Sequence, residues 1–261
     1  MTDDDHALAR ELAEAAGRRL LELRASGGEP DALRQAGDRL SHEFLVAQLA
    51  DRRPGDVVLS EEAADDPARL AAERVWIVDP LDGTREFGEP GRSDWAVHVA
   101  LWERDDAGGG GELTAGAVAL PGQGYVLSTA DDQTGAAPGA GRGRGNQRLR
   151  VVVSRTRAPR FVQNISGLID VELVPLGSAG AKVAAVVSGE ADAYIHGGGF
   201  YEWDTAAPVA VARASGFHAS RVDGSALAYN QADLLMPDIL VCRPALAGSL
   251  LQAIREVTHE A

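Results

Sequence analysis

Trp76-Ile77-Val78-Asp79-Pro80-Leu81-Asp82-Gly83-Thr84 sets an apolar run directly against two carboxylates three positions apart. Val75-Trp76-Ile77-Val78 reads as a short strand, so Asp79 and Asp82 lie just past a strand end. If Pro80 forces a turn there, the two carboxylates converge on one point, and Gly83 lets the backbone come close to a ligand. Such a pair suits a hard cation such as magnesium, which takes carboxylate and carbonyl oxygens. Thr84 then opens a short helix whose free amides accept a phosphate oxygen. The plainer reading is a capped turn, since Asp, Pro, Gly and Thr are all turn residues.

Three further acidic segments extend the pattern. Leu59-Ser60-Glu61-Glu62 ends the apolar run 57–59, Glu202-Trp203-Asp204-Thr205-Ala206-Ala207-Pro208 places Asp204 to start a helix, and Asp38 follows Ala36-Gly37. Taken singly, adjacent glutamates are a solvated face, Asp204 is an N-cap and Asp38 is a surface residue. Taken together, the acids sit at strand and helix ends, where an α/β crevice collects ligands. Carboxylates crowded within a few ångströms repel, and one holds its proton unless a cation neutralises the group. A metal site is the economical reading.

Around these segments the chain alternates helices and strands. Helical spacing runs over 6–24, stopped by Gly27-Gly28, and a second helix carries Asp38, Leu40, Phe44, Ala47 and Gln48. Residues 95–102 alternate Trp95, Val97, Val99 and Leu101 against Ala96, His98, Ala100 and Trp102, a strand with two distinct faces. Gly108 to Gly111 is then expected to be a loop leading to an antiparallel partner at 115–120. The Gly-, Ala- and Asp-rich stretch 129–145 has no apolar periodicity and is the expected mobile loop or boundary, dividing the chain into 1–145 and 146–261. Beyond it, short apolar runs at 151–153, 173–176, 193–195 and 239–241 alternate with helical stretches at 179–188, 205–215 and 246–257, an α/β rhythm.

Composition narrows the partners. The 261 residues carry a formal charge of −14, a field that repels phosphate backbones and anionic lipid, so polymeric nucleic acid and membrane are not expected partners. No stretch approaches the roughly 18 apolar residues of a membrane span, and Met1-Thr2-Asp3-Asp4-Asp5 has the wrong charge for a signal peptide. A single cysteine, Cys242, permits no intramolecular disulfide and no thiolate metal cage; with these features a cytoplasmic protein is expected. Among 25 basic residues the one lysine, Lys182, stands out.

Glu61-Glu62, then Asp79-Pro80-Leu81-Asp82-Gly83-Thr84, then Trp203-Asp204-Thr205-Ala206-Ala207-Pro208 followed by Gly216 resemble the signature of the inositol monophosphatase superfamily of magnesium-dependent, lithium-sensitive phosphatases. Arg85-Glu86-Phe87 and the run Asp223-Gly224-Ser225-Ala226-Leu227-Ala228-Tyr229-Asn230 look like its CysQ branch, whose substrate is 3′-phosphoadenosine 5′-phosphate. The resemblance implies a layered αβαβα sandwich, an α+β half with an antiparallel sheet followed by an α/β half. It implies metal ligands at Glu61, Asp79, the Leu81 carbonyl, Asp82 and Asp204, with Glu62 the fallback for Glu61 and Asp38 positioning a further hydrated magnesium, two or three ions in all. Thr84 and Glu61 would hold the attacking water, and the amides of Gly83 and Thr84 the phosphate. Lys182, beside Gly177-Ser178-Ala179, would open the helix facing substrate and could receive a second phosphate; His196 could face a nucleotide.

The implied activity is removal of the 3′-phosphate by water, without a covalent phosphoenzyme, leaving AMP and phosphate. The sulfated donor 3′-phosphoadenosine 5′-phosphosulfate is a second candidate substrate, which would place the protein in sulfur assimilation. Within the superfamily, inositol 1-phosphate and fructose 1,6-bisphosphate are the rival substrates. Two departures count against inositol phosphate: Leu33-Arg34-Gln35-Ala36-Gly37 replaces a Lys-Ser-Pro-like segment, and His196 stands where the inositol enzymes place a glutamate. Outside it, a haloacid dehalogenase-like motif needs one residue between its aspartates where Asp79 and Asp82 have two, and a non-catalytic acidic binding module would not need every metal position filled. Many members of the superfamily are homodimers, which leaves a homodimer open; no interface is marked in the sequence.

Overall fold

The computed structural model describes residues 4–105, 110–131, 148–156 and 158–259. Two long helices, α1 (Asp5–Ala25) and α2 (Pro30–Arg52), precede strands β1 (Val57–Ser60) and β2 (Arg74–Asp82) and the short helix α3 (Thr84–Gly88). Strands β3 (Ala96–Arg104), β4 (Gly111–Leu120) and β5 (Tyr125–Ser128) complete a first sheet of order β1-β2-β3-β4-β5. Then follow β6 (Leu149–Ser154), α4 (Arg160–Ile165), β7 (Val171–Leu176), α5 (Ala179–Val187), β8 (Ala193–His196), β9 (Phe200–Tyr201), α6 (Glu202–Ala214), β10 (His218–Ser220), β11 (Leu235–Met236), β12 (Ile239–Cys242) and α7 (Pro244–His259). The second sheet has the order β10-β12-β8-β6-β7, and β9 pairs with β11 as a small ribbon.

Side-chain alternation along β3 explains the stacking of these elements. Val97, Val99 and Leu101 join Leu8, Leu12, Leu20, Leu45 and Leu49 in a core beneath α1 and α2. Ala96, Ala100 and Trp102 face the other way, into a core shared with α5 and α6. A third core packs the far face of the second sheet, with Val151, Ile195 and Leu240, on Val162 of α4 and Leu250 and Ile254 of α7. The layers are therefore helix, sheet, helix, sheet, helix, the sandwich that the resemblance implies. Every residue of α5 is buried, because a middle-layer helix has a sheet on each side and no face left for water. Cys242 is buried in β12, as expected of a free cysteine in a core.

Four local expectations change. The first sheet is mixed, since β1 runs parallel to β2 while the other pairs are antiparallel. Pro80 makes no turn: β2 continues through it to Asp82. Helix α6 starts at Glu202, so Asp204 lies inside its first turn, neither opening the helix nor acting as its N-cap. Gly111 belongs to β4, whereas Gly108 and Gly109 lie outside the described residues, as do most of the stretch 129–145 and the boundary expected after 145. Among the described residues no helix is long and apolar enough to cross a membrane.

Helix α5 approaches the first sheet closely at Gly180, where a Cβ would stand 2.2 Å from His98 Nε2 and 3.0 Å from Ala96 Cβ. Replacing Gly180→Ala should therefore lift α5 from the sheet and destabilise the fold by about 1–3 kcal/mol, the usual range for overpacking. Urea unfolding of the purified variant measures this, and an unchanged midpoint would show that the close approach is not required.

Candidate active site

In a regular strand, residues 79 and 82 would point to opposite faces, because side chains alternate. Here Asp79 pairs with His98 and Asp82 with Ala96, three steps along β2 against two along β3. The extra residue is a β-bulge, and it turns Asp82 to the same side as Asp79. Convergence of the pair therefore comes from a bulge within the strand. Gly83 follows at φ 84°, a left-handed conformation that a side chain would strain, and starts α3 at Thr84.

Asp79 and Asp82 are buried, 1% and 7% exposed. Leu81 N–H donates to Asp79 Oδ1 at 3.0 Å, while Asp82 Oδ2 accepts from Gly180 N–H at 2.8 Å and from the Ser178 hydroxyl. His98 Nε2 lies 3.2 Å from the same oxygen. Its Nδ1 is 3.1 Å from the Trp203 carbonyl, an acceptor that fixes the proton on Nδ1. Donor atoms of Asp79, Asp82 and His98 all fall within 4.8 Å of one another, a group able to hold a metal ion. Residue type and spacing do not single out His98, although it is the one ionisable side chain among the buried residues on the face of β3 that carries Ala96, Ala100 and Trp102.

The other acids gather around this pair. Glu61 and Asp79 share a hydrogen bond, and Glu61 also feels the charges of Asp204 and Asp82. Its carboxyl is pushed up to about 7, first by the protein packed around it and then by Asp204, although the residue keeps solvent access. Burial and then Glu61 hold Asp79 well above the usual carboxylate range. Asp204 is raised to about 6 by burial and by Asp82, and one of its oxygens accepts from Tyr201 N–H at 2.6 Å. Burial also acts on Asp82, but His98, Lys182 and Ser178 outweigh it and keep that carboxyl low. Glu62 acts through its charge on Glu61 and on Asp38, the latter raised to about 6 by burial and then by Glu62, and no hydrogen bond ties it to Asp79 as one ties Glu61. Of the adjacent glutamates, Glu61 is thus the one in the cluster.

The remaining expected residues take distinct places. The Thr84 hydroxyl lies 3.0 Å from the Leu81 carbonyl and 3.3 Å from Asp38 Oδ1, linking Asp38 to the bulge. Ser178 caps α5 by accepting from Ala181 N–H and donates to Asp82. Lys182 is buried with Nζ on the carbonyls of Gly177 and Ser178 and 5.3 Å from the Tyr194 ring; burial lowers it to about 8. His196 stands apart from the acids, its ring edge-on to Phe200 at 4.8 Å. A cavity of about 530 Å³ joins these parts, with Asp82, Thr84 and Asp204 on one side and Tyr194, His196 and Phe200 on another. Helix α6 is anchored beside it by Glu202, fully buried, which accepts from Asn230 N–H at 2.6 Å and Gln231 N–H at 2.7 Å. Asn230, at φ 57°, accepts in turn from buried Arg69 at 2.7 Å, so the 223–230 motif serves to seat the helix that carries Asp204.

An oxygen-rich, mutually repelling donor set fits a hard divalent cation. Its folded-state pKa values also set a pH dependence. Glu61, Asp204 and Asp38 are raised in the folded protein, so the stability they confer is full below the ordinary carboxylate range and is lost as pH rises through about 6 to 7. The metal-free protein should lose about 5 °C of melting temperature between pH 5 and 7.5, and magnesium should restore more at 7.5 than at 5. Differential scanning fluorimetry checks this; a Glu61→Gln, Asp204→Asn double variant should flatten the metal-free profile.

The pattern of the inositol monophosphatase family matches residues 5–259. A 3′-phosphoadenosine 5′-phosphate phosphatase of Mycobacterium leprae is 53% identical over 258 residues, covering 97% of this chain and 94% of the relative. The 3′(2′),5′-bisphosphate nucleotidase CysQ of Escherichia coli is 31% identical over 74% of the chain and 78% of its own length. Among solved structures, CysQ of Bacteroides thetaiotaomicron superposes with TM-score 0.73 at 26% identity, covering 92% of this chain and 97% of that one. With a match over nearly its whole length and the family's acidic segments gathered at one bulged strand, the chain belongs to the inositol monophosphatase family.

Proposed function

We propose that this protein is a magnesium-dependent phosphatase that removes the 3′-phosphate of 3′-phosphoadenosine 5′-phosphate, giving AMP and phosphate. The observation that carries the reading is the bulge in β2, which turns Asp79 and Asp82 to one side, within electrostatic reach of Glu61 and Asp204, with Asp82 and Asp204 lining the cavity. The mycobacterial relative at 53% identity supports the choice of nucleotide. An aromatic wall of Tyr194, His196 and Phe200 lies across the same cavity, where a nucleobase can stack. The sulfated nucleotide is a second substrate of the same shape, and its hydrolysis would put the protein in sulfur assimilation.

Glu61, Asp79, the Leu81 carbonyl, Asp82 and Asp204 would hold two magnesium ions, and Asp38 a third through water. Bound there, the ions supply charge neutralisation to the phosphate and acidity to the water that attacks it. The chain's own residues do the rest. Ser178 fixes the orientation of Asp82 from behind, and Gly180 N–H holds the same oxygen. Thr84 has one hydroxyl proton, directed at the Leu81 carbonyl or at Asp38, so its lone pairs are left to accept from the attacking water. Glu61, with a carboxyl poised near neutrality and open to solvent, is the acceptor for the water's other proton. Gly83, without a side chain, lets the phosphate lie against the backbone at Gly83 and Thr84.

Phosphate release should be faster from 3′-phosphoadenosine 5′-phosphate than from inositol 1-phosphate or fructose 1,6-bisphosphate at matched low concentration, and should stop on chelation. Asp82→Asn should lower kcat by about a thousandfold or more while the far-ultraviolet circular dichroism stays unchanged. A preference for a sugar phosphate would keep the site and replace the substrate; an active Asp82→Asn would remove the site.

A further inference from the structure

We infer that Arg85 receives the second phosphate of a bisphosphorylated substrate and so sets the preference for bisphosphates over monophosphates; this rests on the phosphatase reading and adds a specificity determinant to it. Three cations line the cavity among the described residues: Arg85, Arg155 and Lys182. Two of them are already engaged. Arg155 gives Nε to Glu86 at 3.1 Å, Nη1 to Glu89 at 2.9 Å, and Nη2 to Glu86 at 2.7 Å and Glu89 at 2.8 Å. Those four bonds commit its guanidinium to two carboxylates. Lys182 is buried within α5, with Nζ tied to two backbone carbonyls and drawn toward Asp82 and Asp204. Its charge offsets the acids of the site, and turning to a phosphate would cost both hydrogen bonds.

Arg85 differs in each respect. It is exposed, it lines the cavity directly after Thr84, and it makes no hydrogen bond or ion pair with any described residue. Glu89, which feels its charge, has both oxygens already bonded to Arg155. Its five donors are therefore free, in a planar fork that matches phosphate oxygens two at a time. The reacting phosphate faces the carboxylate cluster and its cations. The second phosphate of 3′-phosphoadenosine 5′-phosphate sits on the same ribose as the reacting one, and Arg85, the residue after Thr84 and part of the cavity lining, is the cation free to meet it. This also gives the Arg85-Glu86-Phe87 segment a role for each residue: Phe87 packs on Trp95 in the core, Glu86 holds Arg155, and Arg85 is left for ligand.

The test compares 3′-phosphoadenosine 5′-phosphate with adenosine 3′-phosphate, which carries the same scissile ester and lacks the second phosphate. The readout is the ratio of their kcat/KM values with magnesium present. In the unaltered protein the ratio should favour the bisphosphate and shrink as salt is raised. Arg85→Ala should reduce that ratio roughly 10- to 100-fold, the range for a charge-assisted hydrogen bond, through KM for the bisphosphate. Arg85→Lys should recover part of it, since the charge remains and the fork is lost. A ratio unchanged in Arg85→Ala overturns the inference and leaves the phosphatase reading standing. An unaltered protein that treats the two nucleotides alike overturns the inference and the substrate reading together.

Discussion

Like-charge repulsion among four carboxylates is the constraint around which this protein is arranged. Asp79, Asp82, Glu61 and Asp204 are drawn from three separated parts of the chain and held within electrostatic reach of one another at the edge of a low-dielectric core. Water would separate such groups, and the fold does not let it. Protons relieve the strain in the absence of a cation: Asp79, Glu61 and Asp204 all resist ionising, while Asp82 alone is kept low by His98, Lys182 and Ser178. The cluster is a site whose resting energy is raised by design of its surroundings, and a hard divalent cation is the ligand that lowers it most.

The layers supply the rigidity this requires. A β-bulge is a local device, yet its effect depends on β3 holding register on one side and α5 pressing against it on the other. The middle helices bring two donors from the later part of the chain, Ser178 at the start of α5 and Asp204 in the first turn of α6. Because α5 is buried on every side, its one polar side chain, Lys182, has to be satisfied internally. The carbonyls of Gly177 and Ser178 do this, at the place where the positive charge also counters Asp82. Arg69, Asn230 and Glu202 act comparably at α6, a buried polar set that fixes where the helix starts.

Charge in the cleft is consequently uneven. One wall is acidic and demands cations, one is aromatic, and at the mouth Arg155 is neutralised by Glu86 and Glu89 while Arg85 is not. A substrate with two phosphates on one ribose and a flat base beside them finds a complement for each part. A protein of net charge −14 can therefore take an anionic substrate, because recognition depends on a few local cations and bound ions.

Much of the site was legible in the chain, for a simple reason. Acids that follow apolar runs are conspicuous, and Glu61, Asp79, Asp82 and Asp204 could be chosen from residue type and spacing together with the family resemblance. The alternation in β3 announced a strand with two distinct faces, the resemblance implied the layers, and the structure covers both faces of the first sheet. What spacing could not supply was the manner of convergence. A proline between two aspartates reads as a turn, and only pairing with β3 shows a strand with one residue too many. His98 was missed because one histidine in an apolar strand carries no local pattern; its meaning lies in Asp82 and Trp203, which arrive from elsewhere in the chain. The sequence by itself determined which groups carry charge and the layers they belong to, since burial periodicity and ionisable chemistry are local properties. Tertiary structure alone decided which charges meet, which cations are already spent and which one is left over, because those are sums over neighbours far apart in the chain.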